Sequence, residues 1–228
     1  MYREWDNETE YDPLVGEYPA GWELKELSDT CNVHDAEHFT PDYVEDGIPL
    51  IRLGDLSPGT ISLLDIEKRV DEETYADLIR RHEPTREDIV YSRSQNFAVA
   101  SSIREQDRYC IGQDMVAIEI NGLDQRFLLH LLNSPVVNNQ ALRRSTRSTF
   151  NRVNLGDIRA FEIPVPDLEI QREIGQIMGS VSDRILNEEA YRNQLHRTKR
   201  GLIRDLLSGE VRTTDADIEI PDEVLARG

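Results

Sequence analysis

The chain has 228 residues, enough for one large domain or two small ones, and a formal net charge of −18. Charged residues make up 31% of it and hydrophobic residues 38%. No apolar stretch approaches the ~20 residues that a membrane-spanning helix needs. The first six residues have no apolar run behind their one arginine, which argues against a secretory signal. We therefore expect a soluble, cytoplasmic protein that does not span a membrane.

The acidic residues are concentrated at the two ends of the chain. Residues 1–50 carry 14 acidic and 2 basic side chains, whereas residues 51–160 carry 16 and 15. Only Lys25, Lys68 and Lys199 are lysines, so nearly every cation is an arginine, which binds phosphate and guanine edges in a bidentate manner. The net charge thus leaves open both a nucleic-acid partner and an acidic protein without one. A surface rich in Asp and Glu and poor in Lys also indicates a halophilic source.

The predicted elements of the first two thirds of the chain are short. Residues 1–17 are acidic and lack apolar periodicity, which predicts a mobile lead-in. From residue 18 to 166, apolar runs at 48–53, 89–91, 97–100 and 115–120 alternate with turn residues and predict strands. Helical spacing of apolar residues predicts helices at 73–81 and 125–133. The predicted fold class is therefore a mixed α/β (α+β) domain over residues 18–166.

A long helix is predicted after this domain. Pro164 and Pro166 indicate a stiff extended joint, and no proline follows until after residue 209, where Gly209 ends the pattern. The segment 167–209 would form one coiled-coil-type helix, of which 39 residues extend roughly 58 Å. Its apolar stripe is predicted to pair with a second helix through Ile174, Ile177, Val181, Ile185, Leu195, Leu202 and Leu206. The alternative is a C-terminal helix packed on its own domain, which the polar residues 187–189 disfavour. Residues 210–228 are expected to be a loosely ordered acidic tail.

Candidate chemical sites are scarce in the sequence. Cys31, His34 and His38 have a metal-like spacing, but no second Cys/His pair follows, so a polar loop is the favoured interpretation. The two cysteines are expected to be free thiols. Nucleophile, phosphate-loop and dinucleotide motifs are absent from the sequence. We therefore expect no catalytic residues, no metal and no cofactor.

Arginine, hydroxyl and amide side chains cluster in three places and suit phosphates and base edges. The alternative for each cluster is a solvated loop or salt bridges to the many carboxylates. Together, in an otherwise acid-rich chain, they predict a DNA-binding face. The predicted DNA-binding residues are Arg80, Arg81, Arg93, Gln95, Asn96, Arg143, Arg144, Arg147, Asn151 and Arg152.

Several short motifs follow one another in a specific order along residues 18–212. They are PAGWE at 19–23, GIPLIRLGDL at 47–56, EDIVYSR at 87–93, FLLHLLNSP at 127–135, NLGDI at 154–158, IPVPDLEIQREI at 163–174 and LLSGEVR at 206–212. In this order they resemble the specificity (S) subunit of type I restriction–modification systems. Each motif is weak alone, and their order makes the resemblance specific.

The resemblance implies a target recognition domain followed by a long helix. Members usually contain two such units, whose helices pair antiparallel and hold two recognition domains that each read one half of a split DNA site. The helices also dock methyltransferase (M) subunits, and a restriction/translocase (R) subunit completes the complex. That complex methylates adenine and cleaves DNA in antiviral defence, whereas the specificity subunit itself catalyses nothing.

The sequence departs from this pattern in three respects. It contains one unit, so it resembles a half-length form. Glu87 stands where a glycine is common, and residues 94–100 lack the expected glycines. The loop conformation can therefore differ from that of the family, and with it the base-reading role of Arg93, Gln95 and Asn96. The acidic ends are additional, and we attribute them to habitat.

Three hypotheses follow. In the first, the domain reads a half-site in the major groove of double-stranded DNA and the helix pairs with a second copy, which gives an interrupted palindromic site. In the second, a degenerate unit acts only as an assembly scaffold. The third, a fragment of a fused methyltransferase–nuclease, is disfavoured because the chain starts at a methionine and lacks a cofactor motif. The target bases depend on loop geometry and DNA deformation, which the sequence does not contain.

Overall fold

The computed structural model describes residues 8–94, 98–145 and 152–208, and the chain divides into two compact units, Met1–Ser180 and Val181–Gly228. The strands among the described residues are β1 (Thr9–Asp12), β2 (Gly16–Pro19), β3 (Glu23–Glu26), β4 (Cys31–Asp35), β5 (Ile48–Ile51), β6 (Gly59–Ile61), β7 (Arg69–Val70), β8 (Ile89–Ser92), β9 (Ala100–Ile103), β10 (Cys110–Ile111), β11 (Met115–Ile120) and β12 (Glu162–Val165). The helices there are α1 (Glu72–Leu78), α2 (Gln125–Leu132), α3 (Pro135–Ser145), α4 (Leu155–Arg159) and α5 (Leu168–Leu207).

A five-stranded sheet organises the first unit, with strand order β4-β11-β8-β9-β6. Its neighbours pair antiparallel except β6 and β9, which are parallel. Three small sheets accompany it: the hairpin β1-β2, the group β10-β5-β7, and the pair β12-β3. The predicted fold class is confirmed, because a mixed α/β domain is followed by one long helix.

Both faces of the central sheet are buried. In β11, Val116 and Ile118 belong to the cluster that contains Leu128 of α2, whereas Met115 and Ala117 belong to the cluster on the opposite face. A strand buried on both faces has a continuous apolar sequence instead of an alternating one. This is why MVAIEI was recognisable as a strand, and its predicted bounds match β11.

Residues 9–19 form a β-hairpin where a mobile lead-in is predicted. Its turn is fixed by the Asp12 carboxylate, which accepts hydrogen bonds from the backbone N–H groups of Leu14 and Val15 at 2.7 and 3.0 Å. Gly16 follows with φ of 88°, a value that glycine adopts without strain. Aspartate and glycine at these positions are turn signals, whereas the acidic strands carry no apolar alternation.

Two further elements also differ from the prediction. The strand predicted at 97–100 lies at Ala100–Ile103, because two buried serines interrupt the apolar pattern there. The Ser101 hydroxyl donates to the Ser57 carbonyl at 2.6 Å, so this polar strand is compatible with burial. Helix α3 was not predicted. It begins at Pro135, which is tolerated in a first helical turn, and Gln140 is among its buried residues.

Helix α5 begins within the first unit and contacts α2 through a small and polar face. The buried Gln171 side chain accepts a hydrogen bond from Asp124 N at 2.9 Å and donates to the Pro166 carbonyl at 2.8 Å. One turn later, a Cβ added to Gly175 would lie 2.8 Å from Asp124 Oδ1 and 3.0 Å from Phe127 N. Only glycine allows this close approach.

The predicted apolar stripe does not coincide with that packed face. In the first unit Ile174 is half-buried and Ile177 is exposed. In the second unit Leu206 is half-buried, and the exposed members of the stripe are Val181, Ile185, Leu195 and Leu202. The residues of α5 that pack within the first unit, Gln171 and Gly175, therefore lie outside the predicted stripe. None of the described helices is long and apolar enough to cross a membrane.

Candidate nucleic-acid interface

Residues that flank two of the segments predicted to contact DNA are hydrogen-bonded to each other in the structure. Arg93 and Val153 are linked twice: Val153 N–H donates to the Arg93 carbonyl at 2.9 Å, and Arg93 Nε donates to the Val153 carbonyl at 3.2 Å. Arg93 N–H also donates to the Asp114 carbonyl at 2.8 Å. Residues 93–94 and 152–153 therefore lie side by side. Four predicted DNA-binding residues, Gln95, Asn96, Arg147 and Asn151, fall outside the described residues.

Arg93 is buried and forms an ion pair with Asp35 at the end of β4. Together with the Val153 carbonyl, this carboxylate satisfies the guanidinium inside the protein. A buried charge needs such partners, because desolvation without them costs several kcal/mol. The geometry thus favours a role for Arg93 in holding the two flanks together over direct contact with bases.

Two further arginines, which are more accessible to solvent than Arg93, continue this network of charges. Arg81 Nε lies 3.1 Å from Glu37 Oε1, and Arg81 also lies 4.0 Å from the Asp35 carboxylate. Arg152 lies 3.1 Å from Asp114 Oδ1. We call Asp35, Glu37, Arg81, Arg93, Asp114 and Arg152 the arginine–carboxylate network. It connects β4, the segment after α1 and both flanks described above.

The remaining predicted arginines differ in their partners. Arg80 is exposed and pairs with Asp77 in α1. Arg143 is also exposed, and it donates to the Pro13 carbonyl in the β1–β2 turn at 2.9 Å. Arg144 instead donates to the carbonyls of Asp157 and Ala160 at 3.0 and 2.8 Å, and its guanidinium lies 5.3 Å from the ring centre of Phe161. These three contacts give Arg144 a structural role at the end of α3.

Exposed ion pairs of this kind can open at low cost, since an exposed Arg–carboxylate pair contributes only about 0–1 kcal/mol. A phosphate group can then replace the carboxylate on the same guanidinium. The Arg80–Asp77 pair has this character and the Arg93–Asp35 pair does not, while Arg81 is half exposed beside the largely covered Glu37 carboxylate. The sequence does not show which of these arginines are exposed and which are buried, because burial of a single arginine depends on contacts between distant segments.

The Cys31, His34 and His38 motif is not gathered into one site. Alternation along β4 buries Cys31 in the core, while His34 faces Glu119 and His38 pairs with Asp35. Burial raises the pKa of Cys31 to about 11 and that of Cys110 to about 12. Both thiols therefore stay protonated at neutral pH, which suits neither a nucleophile nor a metal ligand.

Comparison with known proteins agrees with this architecture. The family model of the type I restriction modification DNA specificity domain matches residues 19–197. A chain from a structure of type I R-M system assembly and conformational transition has a TM-score of 0.56 and 18% identity over 86% of this chain and 48% of that one.

Two solved specificity subunits are similar in fold. The HsdS subunit from Thermoanaerobacter tengcongensis has a TM-score of 0.52 and 16% identity, covering 82% of this chain and 45% of that one. The type I S subunit from M. genitalium has a TM-score of 0.53 and 12% identity, with coverages of 82% and 46%. The present chain thus spans about half the length of these solved chains. The match over residues 19–197 confirms the resemblance, and the chain belongs to the family of type I restriction–modification DNA specificity domains.

Proposed function

We propose that this chain is the DNA recognition subunit of a type I restriction–modification complex and reads one half of a split DNA site. The family match over residues 19–197 is the observation that carries the proposal. The recognition domain would be residues 18–166, and the helix 167–209 would serve assembly. Catalysis would belong to the partners, which are a methyltransferase and a restriction/translocase subunit.

The proposed DNA contacts divide into two groups. Arg80, Arg81, Arg143 and Arg152 would bind phosphates by exchanging their present partners for phosphate oxygens. Bases would be read by Gln95, Asn96, Arg147 and Asn151, whose segments adjoin the Arg93–Val153 junction. Arg93 and Arg144 would position these segments without touching DNA. Support for this division comes from the protein acceptors that the two positioning arginines already have.

The proposed partner of the helix is a second copy of this chain. The apolar residues of α5 recur at the spacing of a helix that packs against another helix, which supports pairing between two copies. Exposed apolar residues along α5, such as Ile177 and Ile185, also support it. A two-fold pair would present two identical recognition domains and read an interrupted palindrome. Methyltransferase subunits would dock on the same paired helices.

The competing proposal is a scaffold that assembles the complex without reading sequence. The acidic partners of Arg80, Arg81 and Arg152 are the observation in its favour, since carboxylates already neutralise these cations. The two proposals differ in whether single side chains of the recognition segments determine which sites are methylated.

Methylome sequencing of the host tests the proposal directly. Deleting the gene should abolish one methylated motif, and the wild-type gene should restore it. Asn96→Ala or Arg147→Ala should lose or relax the motif, because each removes a proposed base contact worth about 1–3 kcal/mol. Arg108→Ala is the matched control, since Arg108 pairs with Glu72 in an exposed position outside the proposed contacts. Unchanged motifs after deletion would contradict the proposal, and motifs insensitive to both substitutions would favour the scaffold.

A further inference from the structure

Three residues far apart in sequence bring metal-ligating atoms together at the β4 edge of the central sheet. His34 lies on β4, Glu119 on β11, and His82 in the segment after α1. One ligand atom from each lies within 4.8 Å of the others, and all three side chains are partly accessible to solvent. From this arrangement we propose that His34, His82 and Glu119 form a binding site for a divalent transition-metal ion.

Strand pairing explains why two of these side chains meet. β4 and β11 are antiparallel, with His34 opposite Ala117 and Asn32 opposite Glu119. Residues two apart on a strand share a face, so His34 and Glu119 are diagonal neighbours on one face of the sheet. Glu119 Oε2 accepts hydrogen bonds from Asn32 Nδ2 at 2.9 Å and from His34 Nε2 at 3.0 Å.

His82 has the second-sphere contact that metal-ligating histidines usually have. Its Nε2 lies 2.8 Å from Oδ2 of the buried Asp88, and the same oxygen accepts the Thr85 N–H at 2.8 Å. Because a carboxylate oxygen accepts, Nε2 carries the proton and Nδ1 keeps the lone pair that a metal requires. A carboxylate behind a ligating imidazole fixes its tautomer and orientation and raises its basicity.

The distances are compatible with a tetrahedral ion. The rings of His34 and His82 are stacked, with 3.9 Å between centroids and 2° between planes. An imidazole lone pair lies in the plane of its ring, so two parallel stacked rings do not both point at one ion, and His34 would rotate out of the stack on binding. Ligands of a tetrahedral zinc lie roughly 3.4 Å apart, and the three donor atoms, within 4.8 Å of one another, would move closer in the same rotation. His34 would release its Glu119 hydrogen bond and present its Nε2 lone pair in the other neutral tautomer. A fourth position would remain for water.

The donor set selects the class of ion. Two imidazoles and one carboxylate favour Zn²⁺, Co²⁺ or Ni²⁺, whereas Mg²⁺ and Ca²⁺ prefer oxygen ligands alone. The ion would clip the segment after α1 to strands β4 and β11, which fixes the neighbouring Arg81. The inference stands on this geometry and does not require that the chain binds DNA.

Calorimetric titration of the tag-free, chelator-treated protein tests the site. We expect one equivalent of Zn²⁺ or Co²⁺ to bind and Mg²⁺ not to compete. His34→Ala, His82→Ala and Glu119→Gln should each weaken Zn²⁺ binding at least tenfold, and Asp88→Asn should weaken it by about 10–100-fold. His38→Ala and His196→Ala are the controls and should leave it unchanged. No saturable binding, or binding that survives His34→Ala and His82→Ala, would overturn the proposal.

A measurement on the wild-type chain avoids variants that fail to fold. The chain has five histidines, so nitrogen NMR resolves five imidazole rings. Zinc should shift the ring nitrogens of two of them, and the signals lost in the His34→Ala and His82→Ala spectra assign which. Shifts at His34 and His82 support the site, whereas shifts at another pair, or none, refute it.

Discussion

Two regions of the first unit hold residues in environments opposite to their usual ones. At the Arg93–Val153 junction an arginine is 6% exposed, whereas on α5 Ile177 is 56% exposed. Arginine is almost never buried without a partner, and a row of exposed branched residues is a docking signal. At the junction the Asp35 carboxylate and the Val153 carbonyl oxygen accept hydrogen bonds from the Arg93 guanidinium and resolve the conflict within the chain. On α5 the described residues around Ile177 supply no comparable cover. Buried charge in this unit is thus matched by partners inside the chain, whereas the apolar side chain of Ile177 on α5 is open to solvent.

The largest expected effect comes from breaking the buried ion pair. Asp35→Ala should lower the free energy of unfolding by about 3–5 kcal/mol, because the Arg93 guanidinium would stay buried without its carboxylate. Urea unfolding followed by circular dichroism measures the change. Asp35→Leu combined with Arg93→Met should recover much of the loss, since it removes both charges. A loss below about 1 kcal/mol would mean that water compensates Arg93.

Substitution on the packed face of α5 should have the next largest effect. Gly175→Ala should destabilise the first unit by about 1–3 kcal/mol, because the new methyl group would overlap Asp124 and Phe127. Gly179→Ala is the matched control, since its Cβ would meet only Arg126 Cδ at 3.9 Å. Alanine favours helices by about 1 kcal/mol over glycine, so the control should be neutral or stabilising. Equal destabilisation of the two variants would disprove the close approach.

A substitution in the exposed stripe should weaken self-association without changing the free energy of unfolding. Ile185→Asp should weaken self-association at least tenfold, or about 1.4 kcal/mol, by placing a charge on the proposed helix pair. Light scattering coupled to gel filtration in molar salt gives the molar mass, and Asn187→Asp adds the same charge away from the stripe. The unfolding transition should stay within about 0.5 kcal/mol of wild type because Ile185 is exposed. A wild-type chain that remains monomeric with and without its methyltransferase would refute the pairing.

The exposed counterpart of the Arg93–Asp35 pair gives the smallest stability effect. Arg80 pairs with Asp77, and both side chains are more than half exposed. Asp77→Ala should change the free energy of unfolding by less than about 0.5 kcal/mol. On the proposed function it should also tighten DNA binding and steepen its salt dependence, because Arg80 loses a competing carboxylate. Fluorescence anisotropy at several salt concentrations tests this, and an unchanged slope would remove Arg80 from the proposed contacts.

Local sequence patterns predict strands that are buried on both faces and helices that begin after a capping residue. β11 is an uninterrupted apolar run, and α2 begins after Asp124, whose carboxylate accepts from Phe127 N. The bounds of β9 were predicted too early in the chain, because Ser101 and Ser102 are buried with hydrogen-bond partners more than forty residues away. The ends of a strand depend on such distant partners more than on its own residues.

The sequence predicts which types of residue form the candidate site, but it does not predict the role of each residue. The sequence identifies arginines near residues 93 and 144, yet their burial depends on Asp35, Val153, Asp157 and Ala160. The His34–His82–Glu119 cluster has no sequence signal, because its members are separated by 48 and 37 positions and meet only where the paired strands β4 and β11 lie beside the segment after α1. His34 drew attention for its spacing to Cys31, and the pleat of β4 turns those two side chains to opposite faces.

The pairing of β3 with β12 determines where the domain between them could be exchanged for that of another protein. Glu23 lies opposite Val165 and Glu26 opposite Glu162, so the chain enters and leaves the intervening 135 residues at one place. A module whose two ends lie side by side can be inserted or replaced without rerouting the flanking chain. A graft cut within these two strands would therefore transplant residues 27–161 as a block and preserve the approach to α5.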